Sequence, residues 1–374
     1  MQGQSINCSA YLPADGTLPK NQPLLTTLKH NTSLAGRIMA TPITGFRLVN
    51  GSTLPAIGLG TFQGDDGNEK VKNIVKAAIQ AGYRHIDGAA AYDNEKAIGD
   101  AIKESGISRD DLFVTTKLAQ SWHEPKDVER ALDLSLKALG LEYVDLYLMH
   151  CHPHAYLPGP NNGTIRHPSG NGKPVIDYER SRKYTETWQA MEKLVDSGKA
   201  KAIGLSNFNI LKTKRILEVA RIRPAVNQVE AHPYFPQHEL LAFCEKEHIH
   251  LMAHQPLGGK PVGVVAPHAD IPGPLFDTKI AQIADQTDMT PAQVILSWAV
   301  QRGTSVIPKT SNESRLSENL STAPLSEEHF VIINDLATTI ESGPVRYLDP
   351  SKHLGFDIFD EELDQPVDNQ APWD

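Results

Sequence analysis

Three cysteines, Cys8, Cys151 and Cys244, are scattered over 374 residues. So few, so far apart, cannot lay down a disulfide framework or a zinc knuckle. The chain has no run of 18 or more apolar residues, which excludes a membrane-spanning helix. Positive charge is in deficit: 36 Lys and Arg face 45 Asp and Glu, a net charge of −9. Without a general positive field to draw phosphates in, a dedicated nucleic-acid binder is excluded too. An enzyme or binding protein of a reducing, cytoplasmic compartment is what these absences leave.

The two ends read differently from the middle. Residues 1–45 carry a single acid, Asp15, and Gly, Pro, Ser, Thr and Asn without a repeating apolar face. No apolar core of a secretory signal is present, and the match to a transit peptide is weak. The stretch reads as a disordered extension, with Met39 a possible natural start. From 341 to 374 the chain is again aperiodic and turns acidic at Asp357 to Gln365; it reads as a loop laid over the body. Without a signal peptide, N-x-S/T matches such as Asn31 and Asn162 carry no weight.

Between those ends, short apolar runs alternate with amphipathic stretches. The runs are Ala56 to Gly60, Tyr83 to Asp87, Leu112 to Lys117, Val144 to His150, Ala202 to Ser206, Val226 to Glu230, His250 to His254 and Ser305 to Lys309. Rich in β-branched residues and without strict alternation, they suit strands buried on both faces. Helical stripes separate them, such as Val71, Ile74, Val75 and Ile79, or Val128, Leu132, Leu136 and Leu139. Trp188, Met191 and Leu194 form a third, read as core. Pro125 and Pro291 suit first turns of helices, and Gly82, Gly106, Gly140 and Gly198 suit their ends. Eight strands each followed by a helix predict a single (β/α)8 barrel over residues 46–340. Two connections are long, Gly/Pro/Asn-rich ones at His152 to Val175 and Pro256 to Pro274; such loops build active-site mouths.

A buried strand that ends in a charge is costly unless the group is paired or functional. Asp87, Lys117 and His150 end three successive strands, and Tyr92 follows five residues after Asp87. An ammonium near a phenol stabilises its phenolate and eases proton release. With Asp87 holding Lys117, Tyr92 becomes a general acid, and His150 a donor to a substrate oxygen. Such a group can protonate an alkoxide as it forms from a carbonyl, with no metal.

Six segments in order resemble the signatures of one family: His85 to Glu95 (HIDGAAAYDNE), Val114 to Leu118, Leu148 to His150, Gly204 to Phe208, Asn227 to Glu230 and Ile307 to Asn319. The chain resembles an aldo-keto reductase from about Phe46 to Leu336. That resemblance implies a catalytic tetrad of Asp87, Tyr92, Lys117 and His150, and a nicotinamide dinucleotide bound without a G-x-G-x-x-G turn. It implies Ser206, Asn207 and Gln228 at the carboxamide, and His254 where an aromatic residue usually stacks on the nicotinamide. Lys309, Thr310 and Arg315 would surround the adenosine 2′-phosphate, with Glu318 and Asn319 at the adenine. Two cations at a strand-to-helix junction suit a dianion, so NADPH is expected ahead of NADH.

The substrate walls depart from the resemblance. Phe62 replaces a common tryptophan, and Cys151, His152 and Pro153 follow His150 where Trp-Pro is usual. A wider or more polar mouth is implied for a small-molecule carbonyl substrate, in a monomer or homodimer. His232 reads as structural. The alternatives are a metal-dependent hydrolase built on the His150, Cys151, His152 and His154 cluster, or a non-catalytic barrel that senses NADPH. The histidine stretch lacks a carboxylate at ligand spacing, and the complete tetrad argues against the sensor.

Overall fold

The structure, a computed structural model, describes residues 43–62, 67–150, 155–159, 163–166, 174–259, 271–349 and 359. The expectations for residues 1–42, for Cys151, His152 and His154, and for most of the acidic tail lie outside the described residues.

Eight parallel strands run in sequence order around one sheet: β1 Leu59–Gly60, β2 His85–Asp87, β3 Phe113–Leu118, β4 Val144–Met149, β5 Ala200–Ser206, β6 Val226–Glu230, β7 His250–His254 and β8 Ser305–Val306. The first and last strands meet. Gly58 N–H donates to the Val306 carbonyl at 2.8 Å, Val306 N–H to Ala56 at 2.9 Å, and Gly60 N–H to Pro308 at 3.1 Å. Those bonds close the sheet into a barrel, which leaves no unpaired edge. The outermost strands are shorter than the runs at 56–60 and 305–309, because a parallel bridge at Ile57 and Val306 takes over where regular pairing stops.

The helices follow from the stripes. Val71, Ile74, Val75 and Ile79 all bury on Asn68–Ala81, and Val128, Leu132, Leu136 and Leu139 on Val128–Leu139. Trp188 and Met191 of Tyr184–Asp196 are fully buried core residues. Pro291 opens Pro291–Gln301 behind a capping box, in which Thr290 and Gln293 each satisfy the other's backbone N–H. Pro125, by contrast, lies in a turn three residues ahead of its helix.

One pole of the barrel is plugged. An antiparallel hairpin, Gly45–Arg47 with Thr53–Pro55, inserts Leu48 and Leu54 into a cluster with Phe113, Leu146, Val226 and Met252 from the barrel interior. Phe46 stacks on His250 at the start of β7, ring centroids 4.6 Å apart, and Asn50 Nδ2 donates to Lys201 O at 3.0 Å. The hairpin therefore seals the end where strands begin, and the chemistry is left to the end where they finish. After β4 a second small hairpin, Ala155–Tyr156 with Ile176–Asp177, was not expected from the sequence; it rises inside the first long connection. No helix among the described residues is long and apolar enough to cross a membrane.

Candidate active site

Asp87 and Lys117 sit at the ends of neighbouring strands, both fully buried. The Lys117 ammonium donates to Asp87 Oδ1, and at 2.8 Å to the Gly88 carbonyl. Asp87 Oδ2 is held separately: Gln228 Nε2 reaches it across the barrel at 2.7 Å. The same amide nitrogen also approaches Met252 Sδ at 3.1 Å, so Oε1 is the polar atom Gln228 has left to offer a ligand. Burial works against the charged form of Lys117, yet the Asp87 carboxylate and the Tyr92 hydroxyl outweigh it and hold the ammonium above the ordinary lysine value. For Asp87 burial dominates and raises the carboxyl, opposed by Lys117 and Gln228. The ion pair is the state in which its three hydrogen bonds are all made, and one partner without the other would leave a charge stranded in the core.

Tyr92 arrives on a short helical turn, Ala90–Tyr92. Its phenol hydrogen-bonds Lys117, whose Nζ also lies 5.1 Å from the ring centroid. Two rings flank it: His150 edge-on at 5.5 Å and Phe62 tilted at 5.0 Å. Phe62 is half exposed, as befits the rim of a mouth. His150 follows β4, its backbone N–H bonded to Leu118 O at 3.0 Å. Burial first, and then the Lys117 charge, push its pKa well below the histidine norm. A neutral imidazole with one N–H to give is the result.

The expected cofactor residues line the ends of the next three strands. Ser206 ends β5, and Asn207 turns off it in the left-handed region at φ 58°. That turn lets Asn207 N–H donate to Gln228 O at 2.9 Å while its side-chain oxygen faces His254 Nε2 at 3.1 Å. Since Oδ1 can only accept, His254 carries its proton on Nε2. Burial drives the His254 pKa down to about 4, with Lys117 and Arg346 adding to it and Glu230 opposing. Past β8, Lys309 and Arg315 are exposed, and Thr310 is buried, accepting from Asn312 N–H at 3.0 Å. Glu318 and Asn319 already serve neighbouring elements. Glu318 Oε1 accepts from Thr290 Oγ1 at 2.7 Å, and the buried Asn319 bonds the Tyr83 hydroxyl.

The residues present suit a nicotinamide group. Amide and imidazole donors and acceptors from β5, β6 and β7 stand beside the Asp87–Lys117–Tyr92 cluster, and the Gln228 bond joins the two sets. No group of three His, Cys, Asp or Glu able to hold a metal occurs among the described residues. Sequence reasoning gave Gln228 a single task and missed its bond to Asp87. It also missed Glu230, fully buried at the end of β6, whose carboxylate accepts from His232 Nε2 at 2.9 Å and from two backbone amides of the C-terminal segment. The signal was available: Glu230 is a strand-end charge on a buried run, the same pattern that singled out Asp87.

A sequence model of the Aldo/keto reductase family matches residues 56–338. Aldo-keto reductase family 1 member A1 of Gallus gallus is 45% identical over 284 residues, covering 73% of this chain and 82% of the relative. The member A1-A of Danio rerio is 45% identical over 279 residues, with the same coverage of 73% and 82%. An uncharacterized oxidoreductase of Schizosaccharomyces pombe is 43% identical over 293 residues, 78% of this chain and 86% of its own. A barrel, an Asp–Lys–Tyr–His cluster at its open end and these similarities lead to one conclusion: the chain belongs to the aldo/keto reductase family, and it is an oxidoreductase that reduces a carbonyl group with a nicotinamide cofactor.

Proposed function

We propose that the protein reduces an aldehyde or ketone to an alcohol with NADPH in preference to NADH, with Tyr92 as the proton donor. The observation that carries this reading is the Lys117 ammonium, shared between the Asp87 carboxylate and the Tyr92 phenol. When bound, the nicotinamide supplies the hydride that the carbonyl carbon receives. This chain's residues handle the oxygen. As negative charge develops on it, Tyr92 gives up its phenolic proton, and the neighbouring ammonium offsets the charge left on the phenol. Asp87 fixes the ammonium on that side, and Gln228 fixes Asp87. Neutral His150, ring-on to Tyr92, donates to the same oxygen and orients it.

Ser206, Asn207, Gln228 and His254 would hold the nicotinamide end. Lys309, Thr310 and Arg315 would meet the 2′-phosphate, with Glu318 and Asn319 at the adenine. The exposure of both cations supports the preference for NADPH, because a dianion reaching them gains two charge-assisted contacts that NADH cannot make. Phe62 and Cys151 would border the substrate, and a cytoplasmic location suits a reductant drawn from the NADPH pool. The test is absorbance loss of each reduced nicotinamide against a panel of aldehydes, ketones and sugars. Turnover with NADPH exceeding that with NADH is expected. Equal use of both would remove the 2′-phosphate assignment, and no turnover on any carbonyl would remove the reading.

A further inference from the structure

Glu230 has no part in the proton transfer just described, yet among the described residues it is the most heavily bonded buried carboxylate outside that site. Oε1 accepts from Tyr347 N–H at 2.6 Å and from His232 Nε2 at 2.9 Å; Oε2 accepts from Leu348 N–H at 2.8 Å. Burial alone would raise its pKa, but the bonds and charges of His232, His254 and Tyr347 overcome that and lower it. What it grips is the segment beyond the barrel. Val345 N–H adds a bond to Tyr234 O at 2.8 Å. The Arg346 guanidinium lies against the Phe235 ring at 4.3 Å and the Phe359 ring at 3.7 Å.

Tyr347 carries the grip onward. Its ring is buried and lies 5.3 Å from His232. Its hydroxyl donates to Pro272 O at 3.1 Å. On the other side it covers Gly258, a left-handed residue at φ 71°. A side chain at Gly258 would collide first with the Pro274 ring and also stand 3.3 Å from the Tyr347 ring, and at its positive φ only glycine lets the backbone pass there. Gly258 is four residues past His254, and His254 is the direct partner of Glu230 across the β6–β7 ladder. One carboxylate thus ties the C-terminal segment to the backbone leaving β7.

We propose that Glu230 is a positioning residue for the nicotinamide end of the site. It pins Tyr347 and Leu348, and through Tyr347 it fixes the backbone that sets His254 against Asn207. This rests on the reading that His254 and Asn207 face the nicotinamide. The test is Glu230→Gln in the full chain, since the amide would set an NH2 against at least one backbone N–H and lose that bond. Amide exchange over residues 345–349 should quicken, and the Kd for NADPH, followed by quenching of protein fluorescence, should rise about tenfold, the size of one lost bond to a charged acceptor. The single-turnover rate of hydride transfer at saturating NADPH should fall by less than the affinity does, because Asp87, Tyr92, Lys117 and His150 are untouched. Unchanged exchange at 345–349 would overturn the anchor, and faster exchange with an unchanged Kd would overturn its link to the nicotinamide end. If Glu230→Gln does not fold, Tyr347→Phe keeps the ring and deletes only the hydroxyl's bonds to Pro272 O and, more weakly, Ile271 O. It should raise the Kd about two- to threefold, and no rise would overturn the link in the same way. A wild-type chain without affinity for NADPH would instead overturn the cofactor reading, and the exchange arm would still decide the anchor.

Discussion

Gln228 Nε2 stands 2.7 Å from Asp87 Oδ2, on the side of the carboxylate that Lys117 does not touch. An amide that binds the carboxylate draws off some of its charge, so Lys117 keeps more of its own for Tyr92. Gln228→Leu should leave Oδ2 buried without a donor, at a cost of about 1–3 kcal/mol, read as a lower urea midpoint with an unchanged slope. The alkaline limb of the reduction rate, where the phenol must keep its proton, should move to higher pH. A shift to lower pH, or none, would show that Gln228 does not act on the proton donor.

Tyr92→Phe removes one hydroxyl from a ring that is packed between Phe62 and His150. Turnover should fall by about two to four orders of magnitude, while NADPH still binds and thermal unfolding hardly moves. Near-normal turnover would take Tyr92 out of the role.

Lys309→Ala and Arg315→Ala should each weaken NADPH by about tenfold or more, as expected for a lost charge-assisted contact. NADH affinity should change far less. Isothermal titration with both nucleotides gives the comparison, and equal losses would count against the placement of the 2′-phosphate.

Acid should destabilise the fold sooner than carboxylates alone would. Burial pushes His85 down to about 3 and His250 and His254 to about 4, and it holds His150 well below the norm. His250 Nε2 accepts from Ser305 N–H at 3.2 Å, so that nitrogen cannot also carry a proton. With folded pKa values below the unfolded 6.5, the unfolded chain binds more protons as pH falls, and the stability these rings contribute is present above 6.5 and lost below it. Each such ring costs about 1.4 kcal/mol per pH unit between 6.5 and its folded value. Asp87, Glu95 and Asp145, raised by burial, act in the opposite direction, but only nearer the carboxylate range. Urea unfolding between pH 7 and 5 should therefore show stability falling with acid. A flat profile would mean that the buried rings take up protons without unfolding.

Much of this was legible from residues alone, and the reason is periodicity. Strands buried on both faces and helices striped on one leave different spacing, and a charge that ends a buried run stands out. β6 and β7 occupy the expected residues, 226–230 and 250–254. Contacts between distant segments were less legible. Nothing local in the sequence says that Gln228 reaches Asp87, 141 residues away, or that Tyr347 returns to Glu230. Both depend on curvature that only the closed barrel supplies. The hairpin after β4 was hidden for another reason, since two residues a side are too few to leave a pattern.

The plug formed by Leu48 and Leu54 also orients the molecule. With the amino-terminal hairpin stoppering the pole opposite the catalytic cluster, a surface or fusion partner joined ahead of Ile43 attaches at the barrel's far side. An immobilised preparation tethered there would present its pocket outward to the solution.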